Sequence, residues 1–511
     1  MTCCQSANNF LSAPPNVSRS SILCRQRIKD LLSFNQELDL LTTWTGGVVT
    51  KVDVYTSEHY VDPDRWPHLT IPPKARFLSK RARDFSDRLE ALLTEHDVTL
   101  TSSVPFSSAT LESPSSSDVT WLDVRDGQMI DRVVADGWLG VAESYLLGEW
   151  TATPLEAFLG VLLQQPLENT ASYVLGGINP NRPRHSFGHV RPGELPEGLV
   201  ELYAGATRAT GAALFSSGAR TTSTVLVNPA GEQGLLGRIA QRFGGTVEET
   251  YPIDETWFSV PDDVERQDLD DAQIRRIELM LDEARVGPGD RVLELPSSGG
   301  QLAIQAARRG ASVDVLTSDE EHAQAVEARV RSAGVAGGVR VELIEGPVPS
   351  PRQWSGKYDV IFSVERMETL GRAGVPHFLK TLDRLLGANG VAVIQSIVST
   401  PAMQQRPWAS ESLDVVRGYV WPALEYPSLE YVRQTAARET GLQVVAETHM
   451  GAHLAATIPL WRAHFASRQR QAAAAGFDIV YRRLWDFQLA LHSALVEAGD
   501  IDCVQVVLQP K

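Results

Sequence analysis

The sequence has few cysteines, a deficit of basic charge and no long apolar run. Each shortage removes a class of function. Its four cysteines, Cys3, Cys4, Cys24 and Cys503, include no pair at metal-ligand spacing, so a reducing cytoplasm is the expected compartment. Lys and Arg total 47 against 63 Asp and Glu, a net charge of −16. That argues against a nucleic-acid partner, which needs concentrated positive charge. It also gives no global attraction to anionic lipid, so membrane contact needs a local patch. No stretch approaches the roughly 20 apolar residues of a membrane helix. The start, MTCCQSANNFLSAPPNVSRSS, lacks the charged segment followed by an apolar segment that marks a secretory signal; it is polar and Ser-rich, and poor order is expected there.

What is present is the composition of a soluble globular protein, 43% hydrophobic and 22% charged over 511 residues, enough for two or three domains. Leu100–Asp118 is rich in Ser and Pro and reads as a linker. Before it, Lys74–Leu93 reads as a helix with Leu78, Phe85, Leu89 and Leu92 on one face and a basic start, Lys74, Arg76, Lys80, Arg81 and Arg83. Such a helix either faces lipid headgroups or simply presents a solvated face. Val119 to about Leu175 mixes short strands with an amphipathic helix, and Ile178–Gly198, rich in Pro, Gly and Arg, reads as an interdomain break.

After about Asp268 the pattern becomes regular, with strands alternating with helices of about ten residues, which implies a parallel, doubly wound sheet. Ligands of such sheets bind at the carboxyl ends of the strands, here Glu294–Gly300, Thr317–Ser318, Glu345–Pro347 and Val364–Glu368. The first of these follows VLEL and reads Pro296-Ser297-Ser298-Gly299-Gly300, where nucleotide loops carry spaced glycines. Gly299 and Gly300 allow close backbone approach, whereas Pro296 removes an N–H and Ser298 adds a Cβ. Taken alone, the loop fits a cofactor cradle and a plain strand-to-helix turn equally.

Ordered motifs along the chain break that tie. GVAESYLLGEWTATPLEAFLGVLL from Gly140, RIAQRF (Arg238–Phe243), DETWFS (Asp254–Ser259), KYDVIFSVERMETLG, GYVWPALEYPSL, HLAATIPLWRAHF and the C-terminal YRRLWDFQLALHSALVEAGDIDCVQVVLQPK follow one another from about Val119 to the end. This series resembles the cyclopropane-fatty-acyl-phospholipid synthases and mycolic-acid cyclopropane synthases. The resemblance implies an α/β protein, a doubly wound seven-stranded methyltransferase sheet with a smaller N-terminal α+β domain. The expected boundaries are 1–118, poorly matched, with the linker; 119–180, the N-terminal domain; 181–237, a divergent insertion; and 238–511, the methyltransferase domain.

The resemblance further implies S-adenosylmethionine as cofactor and transfer of a methyl or methylene group to the double bond of an unsaturated acyl chain. That chain would be carried by a phospholipid or an acyl carrier, with possible peripheral membrane contact. Implied cofactor residues are Glu294, Gly299, Gly300, Thr317 and Ser318, and the implied catalytic residue is Glu368. The rest of the family's bicarbonate site is replaced: its histidine beside the glutamate is Thr369, its cysteine Val260, its second histidine Gln395, and its tyrosines Leu454 and Phe243. Bicarbonate is therefore doubtful as a cofactor here, and a non-catalytic lipid- or partner-binding relative is the alternative. Other roles compete at single residues. Glu368 could cap a helix, Ser318 could cap the next helix with Glu321, and Trp421, Trp461 and Trp485 fit core or acyl-slot lining. His449 and His453 stand four apart without an evident third ligand, so no metal is expected.

Overall fold

The computed structural model describes residues 61–71, 78–102, 119–167, 195–228 and 250–511. Ser57–Lys511 forms one compact unit. Within it, a small sheet combines β1 (Thr99–Ser102), β2 (Trp121–Val124) and β3 (Trp150–Thr153), with β1 parallel and β3 antiparallel to β2. β1 runs into the segment Leu100–Asp118 read as a linker, whose first residues, Leu100–Ser102, are strand because they pair with β2; the rest of that segment, like Lys74, Arg76 and the stretch Arg238–Phe243, lies outside the described residues.

The large sheet holds β4 (Arg220–Val227), β5 (Tyr251–Phe258), β6 (Arg291–Glu294), β7 (Ser312–Thr317), β8 (Val339–Leu343), β9 (Tyr358–Val364), β10 (Leu386–Ser399), β11 (Leu442–His449) and β12 (Ile501–Pro510). Their spatial order is β4-β5-β11-β12-β10-β9-β6-β7-β8. From β8 across to β11 these are the seven strands expected, doubly wound about β6 and β9, with β12 alone antiparallel to its neighbours. The sheet is nevertheless wider than seven. β5 continues it by pairing parallel to β11, and β4 pairs antiparallel to β5. β4 was not legible because it buries little: most of its residues are exposed on both faces, so it shows no alternation of apolar and polar positions. The central β9 is the reverse case. It is buried at six of its seven positions, and a run such as YDVIFSV is what a parallel strand covered on both faces requires.

Helix starts follow from local chemistry. Asp319, Ser428 and Asp478 each accept a hydrogen bond from the backbone N–H three residues on, opening the helices Glu320–Ser332, Leu429–Glu439 and Ile479–Glu497. Asp319, not Ser318, is the cap of its helix. The helix expected over Lys74–Leu93 is observed at Leu78–Glu95; Phe85, Leu89 and Leu92 are buried, and Lys80, Arg81 and Arg83 face outward. Among the described residues no helix is long and apolar enough to cross a membrane.

The N-terminal elements share a continuous core with the C-terminal helices. Trp138, Trp150 and Phe158 pack in one cluster with Phe465, Trp485 and Phe487. Hydrogen bonds cross the same seam, from Tyr145 Oη to Asp486 (2.8 Å), Tyr419 Oη to Glu143 (2.9 Å) and Trp408 Nε1 to the Leu163 carbonyl (2.9 Å). Helices Gln128–Asp136 and Trp138–Leu147 meet at Gly140, where an added Cβ would lie 2.1 Å from the Arg132 carbonyl oxygen. The obstacle is backbone and cannot swing aside. Gly140→Ala is therefore expected to destabilise the fold by about 1–3 kcal/mol or more, read as a lowered thermal or urea unfolding midpoint; an unchanged midpoint would show that the crossing can open freely.

Candidate active site

The reversal of strand order between β6 and β9 opens a crevice at their carboxyl ends, and a cavity of about 1110 Å³, mouth included, lies there. One wall is the loop after β6. Pro296, Ser297, Ser298 and Gly299 line the cavity, while Glu294, fully buried, sits behind them. One oxygen of Glu294 accepts from the Ser298 backbone N–H (2.5 Å) and hydroxyl (2.6 Å), and the other has no partner. Burial raises the Glu294 pKa against those two hydrogen bonds. Gly299 and Gly300 both adopt positive φ, 101° and 85°. At Gly299 a Cβ would meet the Arg208 carbonyl oxygen at 2.5 Å, so only glycine allows the 195–215 segment to close on this loop.

That closure is held by an ionic clamp. Glu197, at the start of helix Glu197–Tyr203, binds His322 and Arg329 of helix Glu320–Ser332, and Arg329 also donates to the Gly299 carbonyl (2.7 Å). Burial would raise the Glu197 pKa, but His322 and Arg329 together hold it below the usual carboxylate value. The clamp is thus present at neutral pH and lost in acid.

The opposite wall is apolar and aromatic. Tyr203, Trp421, Trp461 and Trp485 line it with Leu454 and Ile458. Tyr203 packs against Trp461 (5.6 Å between centroids) and Trp485 (5.2 Å). Tyr426 and His492 close one side. His492 Nδ1–H donates to the Gln488 carbonyl (2.6 Å), so Nε2 accepts from the Tyr426 hydroxyl (2.5 Å), and burial keeps the imidazole neutral.

Between the two walls stands an acidic pair at the end of β9. Glu368 is buried; its oxygens accept from the Ser396 hydroxyl (2.7 Å) and the Ile397 backbone N–H (3.1 Å). Burial, and then the charge of Glu365, push its pKa to about 8. Glu365 also lines the cavity and adopts φ 49°, an unusual conformation for a residue with a Cβ. Its Oε1 has no donor in hydrogen-bonding geometry, although the Gln395 amide and the Ala212 N–H lie near enough to favour its ionised form. Burial raises its pKa, opposed first by Arg276.

The structure thus gathers Gly299, Glu368, Thr369, Leu454 and the three tryptophans around one cavity. Gly300 lies just behind, as the N-cap of helix Gln301–Arg308, and Gln395 is buried beside Glu365, bonded to Gln505 (3.1 Å). Thr317 and Ser318 do not line the cavity. Thr317 is fully buried, and its hydroxyl accepts from the Asp319 N–H (3.1 Å) to shape the turn. Val260 is 70% exposed, away from the cavity. Phe243 falls outside the described residues. His449 and His453 have separate partners, Asp502 and the Phe215 N–H. Sequence reasoning missed Glu197, Tyr203, Arg208, His322 and Glu365. The first three sit in or beside a segment without strong pattern; Glu365 carried a signal only as the acid directly after a buried strand.

Residues 258–506 match the family model described as mycolic acid cyclopropane synthetase. Tuberculostearic acid methyltransferase UfaA1 of Mycobacterium tuberculosis is 26% identical, across 88% of this chain and 96% of that protein. The chain is thus similar, over most of its length, to members of the cyclopropane and mycolic acid synthase family. A second relative, the cyclopropane-fatty-acyl-phospholipid synthase of Escherichia coli, is 22% identical over 75% of this chain and 86% of its own length. The solved structure of cyclopropane synthase MmaA2 from M. tuberculosis covers 64% of this chain and 99% of that one, at 20% identity and a TM-score of 0.49.

Because Glu368 holds its proton up to about pH 8 in the fold but ionises near the ordinary carboxyl value of 4.5 when unfolded, it binds more protons folded than unfolded between those values. Its contribution to stability therefore falls as pH rises from about 5 to 8. Glu368→Gln, which stays neutral throughout, is expected to gain thermal stability over the parent protein across that range; parallel pH curves for the two would show that Glu368 is not buried as described.

Proposed function

We propose that this protein transfers the methyl group of S-adenosylmethionine to the double bond of an unsaturated fatty acyl chain, with Glu365 as the group that then accepts a proton. The observation that carries this reading is the position of Glu368, buried, and Glu365, half-buried with its Oε1 shielded from solvent, where the glycine-bearing loop meets the aromatic slot. The residues present fit the cofactor. Ser297, Ser298 and Gly299 would hold it, with Glu294 stiffening their loop from behind, and Arg208, now paired with the exposed Glu201 (2.8 Å), lines the cavity where it could turn to the cofactor's carboxylate. The bound cofactor supplies an electrophilic methyl on a positively charged sulfur.

In balance, the alkene π pair would form the new C–C bond to the cofactor's methyl, the electrons of the S–CH3 bond would stay on sulfur, and one proton must then leave either a chain carbon beside the cationic one or the added methyl. The chain's own residues answer each need. Leu454, Ile458, Trp421, Trp461 and Trp485 bury an acyl segment and exclude water, which would otherwise trap the cation. Aromatic faces favour positive charge beside them. Glu365 offers a carboxylate oxygen without a hydrogen-bond donor of its own, and Glu368, both of whose oxygens are engaged, fixes the adjoining chain. A side-chain base makes the loss of the family's bicarbonate ligands understandable. Proton loss from the chain gives a methyl-branched alkene, loss from the added methyl gives a ring, and loss from the added methyl after a 1,2-hydride shift gives a methylene branch. The replaced bicarbonate residues, and the similarity to a tuberculostearic acid methyltransferase, favour the branched product. The alternative of a purely binding relative is not favoured, since the cavity keeps both a loop for the cofactor and an acid pair.

The test is incubation with methyl-labelled S-adenosylmethionine and oleoyl phospholipid, read by mass spectrometry of the acyl chains. Labelled branched chains are expected. Glu365→Gln should reduce turnover about 100-fold or more, the usual worth of a positioned general base, while Glu368→Gln should reduce it less. No binding of S-adenosylhomocysteine up to millimolar concentration would end the reading; activity unchanged in Glu365→Gln would remove Glu365 from it.

An acyl substrate in a bilayer requires a surface contact, and the exposed Lys80, Arg81 and Arg83 of helix Leu78–Glu95 supply a local basic patch against the net charge of −16. Weak binding to anionic vesicles, screened by salt over about 8–10 Å and worth on the order of 1 kcal/mol per basic residue, is expected in co-sedimentation. Changing all three to Glu should abolish it with the thermal midpoint retained; undiminished sedimentation would exclude this helix as the contact.

A further inference from the structure

A second cluster of buried polar groups lies away from the cavity, on the added edge of the sheet. β5 joins β11 through only four residue pairs, among them Glu447 opposite Glu255 and His449 opposite Trp257. Since side chains two apart share a strand face, Glu255, Glu447 and His449 project together, and one ligand atom from each lies within 4.8 Å of the others.

The hydrogen bonding of His449 fixes what stands between them. Its Nδ1 is 2.6 Å from Asp502 Oδ2. A carboxylate can only accept, so Nδ1 carries a proton, and Nε2 is the ring atom left to the rest of the cluster. Nε2 faces Glu255 Oε1 at 3.5 Å and has no hydrogen-bond partner, although His449 is only 5% exposed. Glu447, only 1% exposed, likewise leaves Oε1 without a partner, while its other oxygen takes Arg433 (3.2 Å). Polar atoms without hydrogen-bond partners thus converge in a buried place, and a metal cation between them would satisfy all of them. Trp257 lies flat on the imidazole, 3.7 Å between centroids at 4°, and holds the ring plane.

We infer that Glu255, Glu447 and His449 form a binding site for a first-row divalent metal ion, of which Zn²⁺ is the representative. One imidazole and two carboxylates suit such an ion, with ligand distances of about 2.0–2.2 Å and water in the remaining position. At those lengths tetrahedral ligand atoms stand roughly 3.3–3.6 Å apart, so the 3.5 Å between His449 and Glu255 already fits, and Glu447 closes by a side-chain rotation. Asp502 is the outer carboxylate that orients a metal-bound histidine. Three carboxylates against the single guanidinium of Arg433 make the cluster acidic, which suits a divalent ion. Glu255 is the least buried of the three, with its side chain 26% exposed, and gives the entry path. The ion would clamp the β4–β5 hairpin to the methyltransferase sheet, a structural role separate from the reaction in the cavity.

The test uses the full-length protein, freed of metal with a chelator and titrated with ZnCl2 by calorimetry, and with Co²⁺ as an optical probe. One equivalent of Zn²⁺ is expected, with visible d–d bands of tetrahedral or five-coordinate Co²⁺ and a thermal midpoint raised by a few degrees. Glu255→Gln and His449→Gln should each weaken binding about tenfold or more. Glu255→Gln changes the most exposed ligand and should keep the apo fold, as checked by circular dichroism. No saturable Zn²⁺ binding at about 100 μM would overturn the site, as would affinity unchanged in both variants. An intense thiolate-to-Co²⁺ charge-transfer band would also overturn it, placing the ion on Cys3, Cys4, Cys24 or Cys503.

Discussion

The helix Ile479–Glu497 is the constraint on which both halves of this molecule depend. It contributes to the N-terminal core and to the reaction cavity at once: Asp486 and Phe487 meet Tyr145, while Trp485, Gln488, Leu489 and His492 line the cavity. A helix can serve two surfaces only if it is apolar nearly all round, and twelve of its nineteen residues are buried. The N-terminal elements are therefore not an accessory to the methyltransferase sheet. Without them the back of this helix would be exposed, and the aromatic wall it carries would lose its support.

The cavity is then closed from the other side by backbone rather than by bulk. The segment after Glu197 lies against Gly299 so closely that no side chain fits between, and the Glu197, His322 and Arg329 clamp holds it there. Removing one member of such a buried ionic group leaves the others uncompensated, so the clamp acts as a unit. Its effect is a water-poor space in which two glutamates sit side by side with raised pKa values. Charge is costly in such a space, which is why the fold surrounds Glu368 with donors and brings Arg276 near Glu365.

The added hairpin of β4 and β5 is the part of the sheet with least apolar support. β4 is largely exposed, and β5 meets the sheet over a short register. Hydrophobic burial alone gives this edge little to hold it. The polar cluster of Glu255, Glu447, His449 and Asp502 is placed where that support is missing.

By itself the sequence determined the alternating strands and helices after Asp268, the position of the loop after β6 and the resemblance to a family, because these rest on local periodicity and on motifs contiguous in the chain. Glu368, Trp421, Trp461 and Trp485 could be singled out for the same reason. Tertiary structure alone decided the rest. The partners of Glu197 lie more than a hundred residues away, so no spacing announces the clamp. The place of Glu365 at the cavity depends on a backbone turn at positive φ. Thr317 and Ser318 sit at a strand end where a ligand contact was expected, yet the turn to Asp319 takes up the Thr317 hydroxyl. The strand β4 shows no pattern because it has almost nothing to bury. Pattern reports what each residue covers locally; which groups face one another across a closed space is set only when the chain has folded around it.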